Sequence, residues 1–451
     1  MVHQYKNNGY DIVLDVNSGS IHVVDDVTYD VIAMWETHTE DEIVEALSAQ
    51  YKEEEIREAL EEIMILKERG VLFTEDTYED YIEEFKHRPT VVKALCLHIA
   101  HDCNLACQYC FAEEGEYHGR RELMSFEVGR KALDFLIANS GNRRNLEVDF
   151  FGGEPLMNWQ VVKDLVAYGR AQEALHNKKF RFTLTTNGVL LDDEVIGFCN
   201  REMANVVLSL DGRREVHDQM RPFRKGAGSY DLVVPKFQKF AESRQQDKYY
   251  ARGTFTRNNL DFAEDVLHLA DLGFKQISVE PVVAEDGEPY AIREEDLPRL
   301  FAEYDKLAVE MIKRHKSGDD FNFFHFMIDL EGGPCVAKRL SGCGSGTEYL
   351  AVTPWGDFYP CHQFVGKDEF LLGNVDEGIK EADICDSFRD CNVYAKGACR
   401  NCFAKFYCSG GCAANAYNFS EDICGSYEIG CELQKKRIEC AIMIKAAESE
   451  A

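Results

Sequence analysis

The chain has 451 residues, enough for two or three domains with a substantial core, and carries a formal charge of −30 and 17 cysteines. That charge excludes a protein built to grip nucleic acid backbones, because phosphate contacts need a basic surface. No run of 18 apolar residues occurs, and the start MVHQYKNNGYD lacks a charged segment followed by an apolar one, so the expectation is a cytoplasmic protein with no membrane span.

Residues 1 to 88 read as a small separate domain. The β-rich runs YDIVLDV (10 to 16) and SIHVVDD (20 to 26) flank the turn Asn17-Ser18-Gly19 and predict a hairpin. Three helices follow, at roughly 28 to 36, at 40 to 50 behind a Thr39/Glu42 capping box, and at 53 to 69 with a stop at Gly70. The third sets Ile56, Leu60 and Ile63 on one stripe. With 23 acidic against 7 basic residues this domain carries −16, which argues against DNA binding.

Residues 94 to 111, ALCLHIAHDCNLACQYCF, join an apolar strand-like run to Cys103, Cys107 and Cys110 in C-x3-C-x2-C spacing. Three thiolates on one loop can hold three irons of a [4Fe-4S] cluster and leave the fourth free, since no fourth cysteine follows at local spacing. The other reading is a zinc site, completed by His101 or an outlying cysteine.

From 91 to about 315, short β-branched runs alternate with amphipathic stretches, the pattern of β/α units on a parallel sheet. Six strands are expected, near 94 to 99, 146 to 151, 181 to 186, 205 to 211, 251 to 256 and 276 to 281. Six units fall short of the eight that close a barrel, which leaves an open side wide enough for a large substrate. Functional residues of such sheets lie at the carboxyl ends of the strands. Those ends carry Phe151-Gly152-Gly153-Glu154-Pro155, then Thr185, Thr186 and Gly188, then Ser209 and Asp211 with Arg221 beyond, then Arg252 and Thr254, and last Val282. Two glycines let backbone carbonyls approach a ligand, and the Glu154 carboxylate can pair with an ammonium. The plainer reading of Thr185, Thr186, Asp211, Arg252 and Thr254 is a set of strand-end caps.

Past residue 330 the texture turns to glycine and cysteine: Cys343, Gly356, Cys361, then Cys399-x2-Cys402-x5-Cys408-x3-Cys412, and Cys431. A chain of this size does not need disulfides to fold, so crowded cysteines point to metal ligation. Cys96, Cys199, Cys385, Cys391, Cys424 and Cys440 read as structural or free thiols.

The C-x3-C-x2-C loop, with aromatic Tyr109 before the last cysteine, resembles that of the radical S-adenosylmethionine (SAM) enzymes. The resemblance implies that SAM chelates the open iron through its amino and carboxylate groups, with Cys103, Cys107 and Cys110 as the catalytic ligands. It further implies a 5'-deoxyadenosyl radical on one-electron reduction. Cofactor-binding positions carried over are Tyr109; Gly152, Gly153 and Glu154 for the amino group; Thr185, Ser209 and Asp211 for ribose and carboxylate; Arg221 for the carboxylate; and Val282 as a backbone contact to adenine. The tail is similar to the seven-cysteine SPASM extension of radical SAM peptide maturases, which implies two auxiliary [4Fe-4S] clusters and three clusters in all. Cys343, Cys361 and Cys412 would hold the nearer one, and Cys399, Cys402, Cys408 and Cys431 the farther. Seven ligands serve eight positions, so either Cys335 completes the nearer cluster or one iron stays open for a substrate cysteine.

Residues 1 to 88 resemble the winged-helix element that binds leader peptides, which implies a peptide along residues 20 to 25 and the helix 53 to 69. The implied architecture is α/β: this domain, a partial (β/α)6 radical SAM barrel over 89 to 320, and a SPASM domain over 321 to 451. The whole chain is similar to the maturases of SCIFF peptides, the six-cysteines-in-forty-five-residues precursors. That likeness implies thioether cross-links between cysteine sulfur and threonine carbon in a ribosomally made precursor, as in sactipeptides and ranthipeptides, with flavodoxin or ferredoxin as electron donor. Anaerobic sulfatase maturases, which make formylglycine, share the barrel and tail, but GDFYPCHQF places His362 where they have an aspartate. The remaining alternative is a non-catalytic zinc or iron-sulfur scaffold or an electron carrier.

Overall fold

The computed structural model describes residues 1–88, 90–117, 120–285, 287–330 and 336–449. Its first three strands, β1 (Val2–Asn7), β2 (Tyr10–Asp15) and β3 (Ile21–Val24), form an antiparallel sheet in that order. The β2–β3 hairpin stands where the turn residues put it. Strand β1 is an addition: VHQYKN has weak alternation, and it is fixed by distant partners, with His3 and Tyr5 both bonded to Glu439. Helices Asp26–Met34, Glu40–Leu47 and Glu53–Glu68 follow, and both bonds of the Thr39/Glu42 capping box form. Ile56, Ala59, Leu60 and Ile63 bury one stripe of the third helix in a small core with Val13, Val31 and Ile43. The helix ends just before Gly70, whose φ of +70° suits a residue without a Cβ.

The second sheet is larger. Strand β4 (Ala94–His101), buried at every position, carries a short antiparallel partner β5 (Glu122–Leu123). Strands β6 (Asn145–Gly152), β7 (Lys179–Thr186), β8 (Met203–Ser209), β9 (Tyr249–Phe255) and β10 (Gln276–Pro281) extend it in order, all parallel. These are the expected six; β4 is buried on both faces, and the strands from β6 to β9 largely alternate buried with half-buried or exposed positions. Intervening helices start on the side chains the sequence offers, Ser125 for Phe126–Asn139 and Asp192 for Asp193–Glu202.

Two parallel strands were not foreseen. Strand β11 (Asn322–Phe323) lies along β10, and β12 (Tyr349–Val352) lies along the other edge, against β4. Strands β13 (Asp357–Tyr359), β14 (Gly373–Asn374) and β15 (Gly378–Ile379) continue antiparallel from β12. The sheet therefore runs on past residue 320 into the tail, so six strands is an undercount. Short strands among glycines leave too little periodicity to be read. The last helix, Glu428–Ser449, packs on helix Leu297–Ser317 and reaches back to β1. Among the described residues no helix is long and apolar enough to cross a membrane.

Candidate functional site

Because β4 and β6 to β10 are parallel, their carboxyl ends share one rim, and the cysteine loop hangs from it. Backbone bonds pin that loop to the chain beyond β8: Ala106 N–H donates to Pro222 O (2.9 Å) and Gln108 N–H to Met220 O (2.9 Å). Cys103, Cys107 and Cys110 lie within reach of one another's charge, and burial pushes the Cys103 and Cys107 thiols up to about 12. Left alone, such thiols keep their protons; metal coordination removes them, and Arg221 beside Cys107 acts in the same direction. This donor set suits a cluster. Among the described residues no group of three His, Cys, Asp or Glu side chains closes on a single ion, and cluster thiolates need not, since they sit on separate irons.

The two glycines at the end of β6 have a different immediate use from the one expected. A Cβ on Gly152 would stand 2.4 Å from Ala100 O, and one on Gly153 would stand 2.1 Å from Asp102 O. Gly153 N–H donates to Ala100 O (2.7 Å) and Glu154 N–H to Asp102 O (2.9 Å). The room left by the missing side chains is thus filled by the cysteine loop's own backbone.

Glu154 is fully buried and turned inward. Its carboxylate accepts from Leu156 N–H (3.0 Å), the Thr186 hydroxyl (2.8 Å) and Asn187 N–H (2.7 Å). Burial nevertheless pushes its carboxyl up to about 7. The carboxylate expected to pair with an ammonium is bonded here within the protein. Asn187 was not singled out from the sequence, although it lies in the TTNG run. Its Nδ2 donates to Asn104 Oδ1 (2.7 Å) and reaches Cys103 Sγ (3.6 Å).

Asp211 also faces the protein. Tyr109 OH donates to it (2.6 Å), as do Arg221 Nε (2.9 Å) and Thr254 N–H (3.0 Å), and the Arg221 guanidinium lies over the Tyr109 ring at 5.4 Å. Both carboxylate oxygens are engaged, so Asp211 supports Tyr109 and Arg221. Behind it a second chain escaped the sequence reading. Asp211 N–H donates to His217 Nδ1 (3.3 Å), which leaves the ring proton on Nε2 to meet Ser229 Oγ (3.0 Å), and Ser229 donates to Arg221 O (2.7 Å). Burial holds the His217 pKa down at about 4, so the imidazole stays neutral.

The remaining rim positions are less constrained. Thr185 and Ser209 are half-buried at the ends of β7 and β8. By alternation Thr185 shares the face of Thr183, whose hydroxyl meets Asp149 of β6. Arg252 pairs with Glu280 on β10 (3.0 Å). Val282 N–H is taken by Phe255 O (2.8 Å), which leaves only its carbonyl for a ligand.

The tail thiols sort into two sets. Cys361 has Cys412 and Cys343 as charged neighbours, and burial pushes its thiol up. Cys408, pushed up to about 11 chiefly by burial, has Cys431, Cys399 and Cys402 around it. The grouping is that of the seven-cysteine pattern, and a cavity of about 590 Å³, lined by Cys412 of the first set and by all four of the second, opens toward Glu280 and Pro281 at the end of β10. Cys335 lies outside the described residues. His362 follows Cys361 with its ring near Phe111 and Phe151 and its Nδ1 3.3 Å from Tyr349 OH. Cys391 Sγ donates to Ile423 O (3.2 Å) and lies beside Cys424.

A parallel α/β rim holding three thiols, two backbone-cradling glycines and a buried Asp–Arg pair is the frame of a radical SAM domain, and residues 97–256 match the family model of the Radical SAM superfamily. That segment is a radical SAM domain. Over 334 residues the chain is 23% identical to a cysteine-type anaerobic sulfatase-maturating enzyme of Clostridium novyi, covering 70% of this chain and 86% of that protein. Its fold is similar to native anSMEcpe with bound AdoMet and Kp18Cys peptide (TM-score 0.65, 20% identity, 79% of this chain and 99% of that one). It is also similar to Streptococcus suis SuiB bound to S-adenosylmethionine (TM-score 0.53, 15% identity, 94% and 97%).

Proposed function

We propose that this protein is a radical SAM maturase that joins cysteine sulfur to threonine carbon in a ribosomally made, cysteine-rich precursor peptide. The observation that carries the reading is the sorting of the tail thiols into a set of three, Cys343, Cys361 and Cys412, and a set of four. Among the described residues a set of three leaves one iron corner for a substrate thiolate, Cys335 lying outside them. When bound, SAM and the loop cluster supply one-electron hydrogen abstraction. The chain's part is positional. Tyr109 and Asp211 orient Arg221 toward the SAM carboxylate, Asn187 steadies Cys103 and Asn104, and carbonyls at Gly152 and Gly153 serve the amino group. Ser209 and Thr185 line the ribose side, and the Val282 carbonyl serves adenine.

In this reading the leader peptide adds to the outer edge of β3, where Val23 is 45% exposed, and rests on the third helix, where Met64 and Ile65 are 40% and 41% exposed. The acidic N-terminal domain selects a basic leader. A cytoplasmic flavodoxin or ferredoxin supplies electrons.

A second reading, formylglycine formation, is favoured by the likeness to the Clostridium novyi enzyme. Mass spectrometry of a precursor treated with reduced enzyme and SAM separates the two. Loss of two hydrogens per cross-link is expected, whereas a cysteine converted to an aldehyde without a cross-link gives the second reading. Cleavage of SAM with the peptide unchanged would remove both.

A further inference from the structure

The N-terminal domain anchors the loop that carries three of the farther thiols at several points along its length. Between Cys399 and Cys408, Arg400 pairs with Glu79, Phe403 stacks flat on His3 (3.5 Å between ring centroids, 2° between planes), and Phe406 takes the edge of Tyr78 (5.1 Å). At the centre is Lys405, only 3% exposed, whose Nζ donates to Asp76 Oδ2 (2.6 Å). Asp76 also accepts from Tyr394 OH (2.8 and 3.0 Å) and from Tyr78 N–H (3.0 Å). The segment bearing Asp76 is itself tied to the turn before β3. Asp15 accepts from Thr74 N–H (3.0 Å) and from its hydroxyl, and Asn17 Nδ2 donates to Thr74 O (2.7 Å). The fourth thiol, Cys431, starts the helix whose Glu439 is bonded by His3 and Tyr5.

We propose that Asp76 and Lys405 are positioning residues for the farther thiol set. Through this ion pair, its lysine buried and its aspartate half-buried, the N-terminal domain holds the 399–408 loop in place, and a cluster bound there depends on a domain more than 300 residues away in sequence. The inference rests on the reading that Cys399, Cys402, Cys408 and Cys431 hold a four-iron cluster. The physical case is that the loop's own backbone bonds, such as Cys402 N–H to Cys399 O and Cys408 N–H to Ala404 O, shape it turn by turn but do not set its place against the helix bearing Cys431. That placement falls to the side-chain anchors, and a largely buried pair is the one least exposed to competition from water.

The test uses full-length protein loaded anaerobically. Asp76→Asn and Lys405→Met are expected to lose about four irons per chain with matching sulfide, or to keep them with the farther cluster at a shifted potential in an EPR-monitored titration. Signals of the other two clusters and the far-ultraviolet circular dichroism should stay as in the parent. Glu83→Gln, on an exposed pair with Lys86, should change nothing. Should Asp76→Asn fail to fold, Tyr394→Phe removes one hydroxyl from Asp76, and faster iron release to a chelator is expected. Parent-like iron, potential and release rate in these variants overturn the inference. The variant with Cys399, Cys402, Cys408 and Cys431 all changed to Ala tells that failure apart from failure of the cluster reading. If it too keeps every iron, the farther set holds no cluster and the inference falls with it.

Discussion

Asp211 and Arg221 meet as a buried ion pair, Nε to Oδ1 at 2.9 Å, with the carboxylate fully enclosed and the guanidinium nearly so. Removing one partner of such a pair strands the other charge, so Asp211→Ala is expected to cost about 3–5 kcal/mol in urea unfolding. Arg221→Lys keeps the charge but loses the planar fork, and should weaken SAM binding in calorimetry while leaving the unfolding midpoint close to that of the parent. A variant that unfolds like the parent after Asp211→Ala would show that the pair is not buried in solution.

Asn187 addresses the cysteine loop directly. Its side-chain amide reaches Cys103 Sγ at 3.6 Å and Asn104 Oδ1 at 2.7 Å. Hydrogen bonds to cluster sulfurs raise reduction potentials by easing the added negative charge. Asn187→Ala should therefore move the SAM-site cluster to a more negative potential in an EPR-monitored titration, with the tail clusters in the same sample as references. A potential that stays put would reduce the contact to loop packing.

What could be read from the chain beforehand follows from what periodicity and spacing encode. The C-x3-C-x2-C loop and the six strand ends were legible, because each cysteine or glycine sits at a fixed offset from a buried apolar run. Strands β1 and β12 were not, since VHQYKN and YLAV owe their pairing to partners far along the chain. Nor does sequence say which way a side chain turns. Glu154 and Asp211 were found at the right strand ends, yet both carboxylates point into the protein, where Asn187, Thr186, Tyr109 and Thr254 wait for them. His217 and Ser229 were missed because a neutral buried histidine leaves no spacing signature.

Glu154 makes stability depend on pH. Burial lifts its carboxyl from an ordinary 4.5 to about 7 in the folded chain. A folded pKa above the unfolded one gives stability that is complete below about 4.5 and is lost as pH rises through about 7. The full span is worth about 3 kcal/mol. Urea midpoints at pH 5 and pH 8 should therefore drop further on alkalinisation in the parent than in Glu154→Gln, which cannot ionise. Parallel curves for the two proteins would mean that the three hydrogen bonds already hold Glu154 as a carboxylate at low pH.

Gly153 is the tightest test of how the end of β6 supports the cysteine loop. An alanine there puts its Cβ 2.1 Å from Asp102 O, a backbone atom that cannot swing aside as a side chain would. The end of β6 must move away, and the bonds from Gly153 N–H to Ala100 O and from Glu154 N–H to Asp102 O are the first to stretch. Those bonds fix the base of the loop that presents Cys103, so the shift passes directly to the metal ligands. Misplacement of about 1 Å at a reacting centre costs on the order of 10²-fold in rate. Gly153→Ala is accordingly expected to lower 5'-deoxyadenosine formation by about that factor and to load less iron at the loop, with tail iron unchanged. Gly287→Ala, where an added Cβ meets nothing within 4 Å, serves as the matched control and should behave as the parent. If Gly153→Ala keeps both its iron and its rate, the strand and loop are not in the close contact that the two glycines permit, and the cradle would have to be sought elsewhere on the rim.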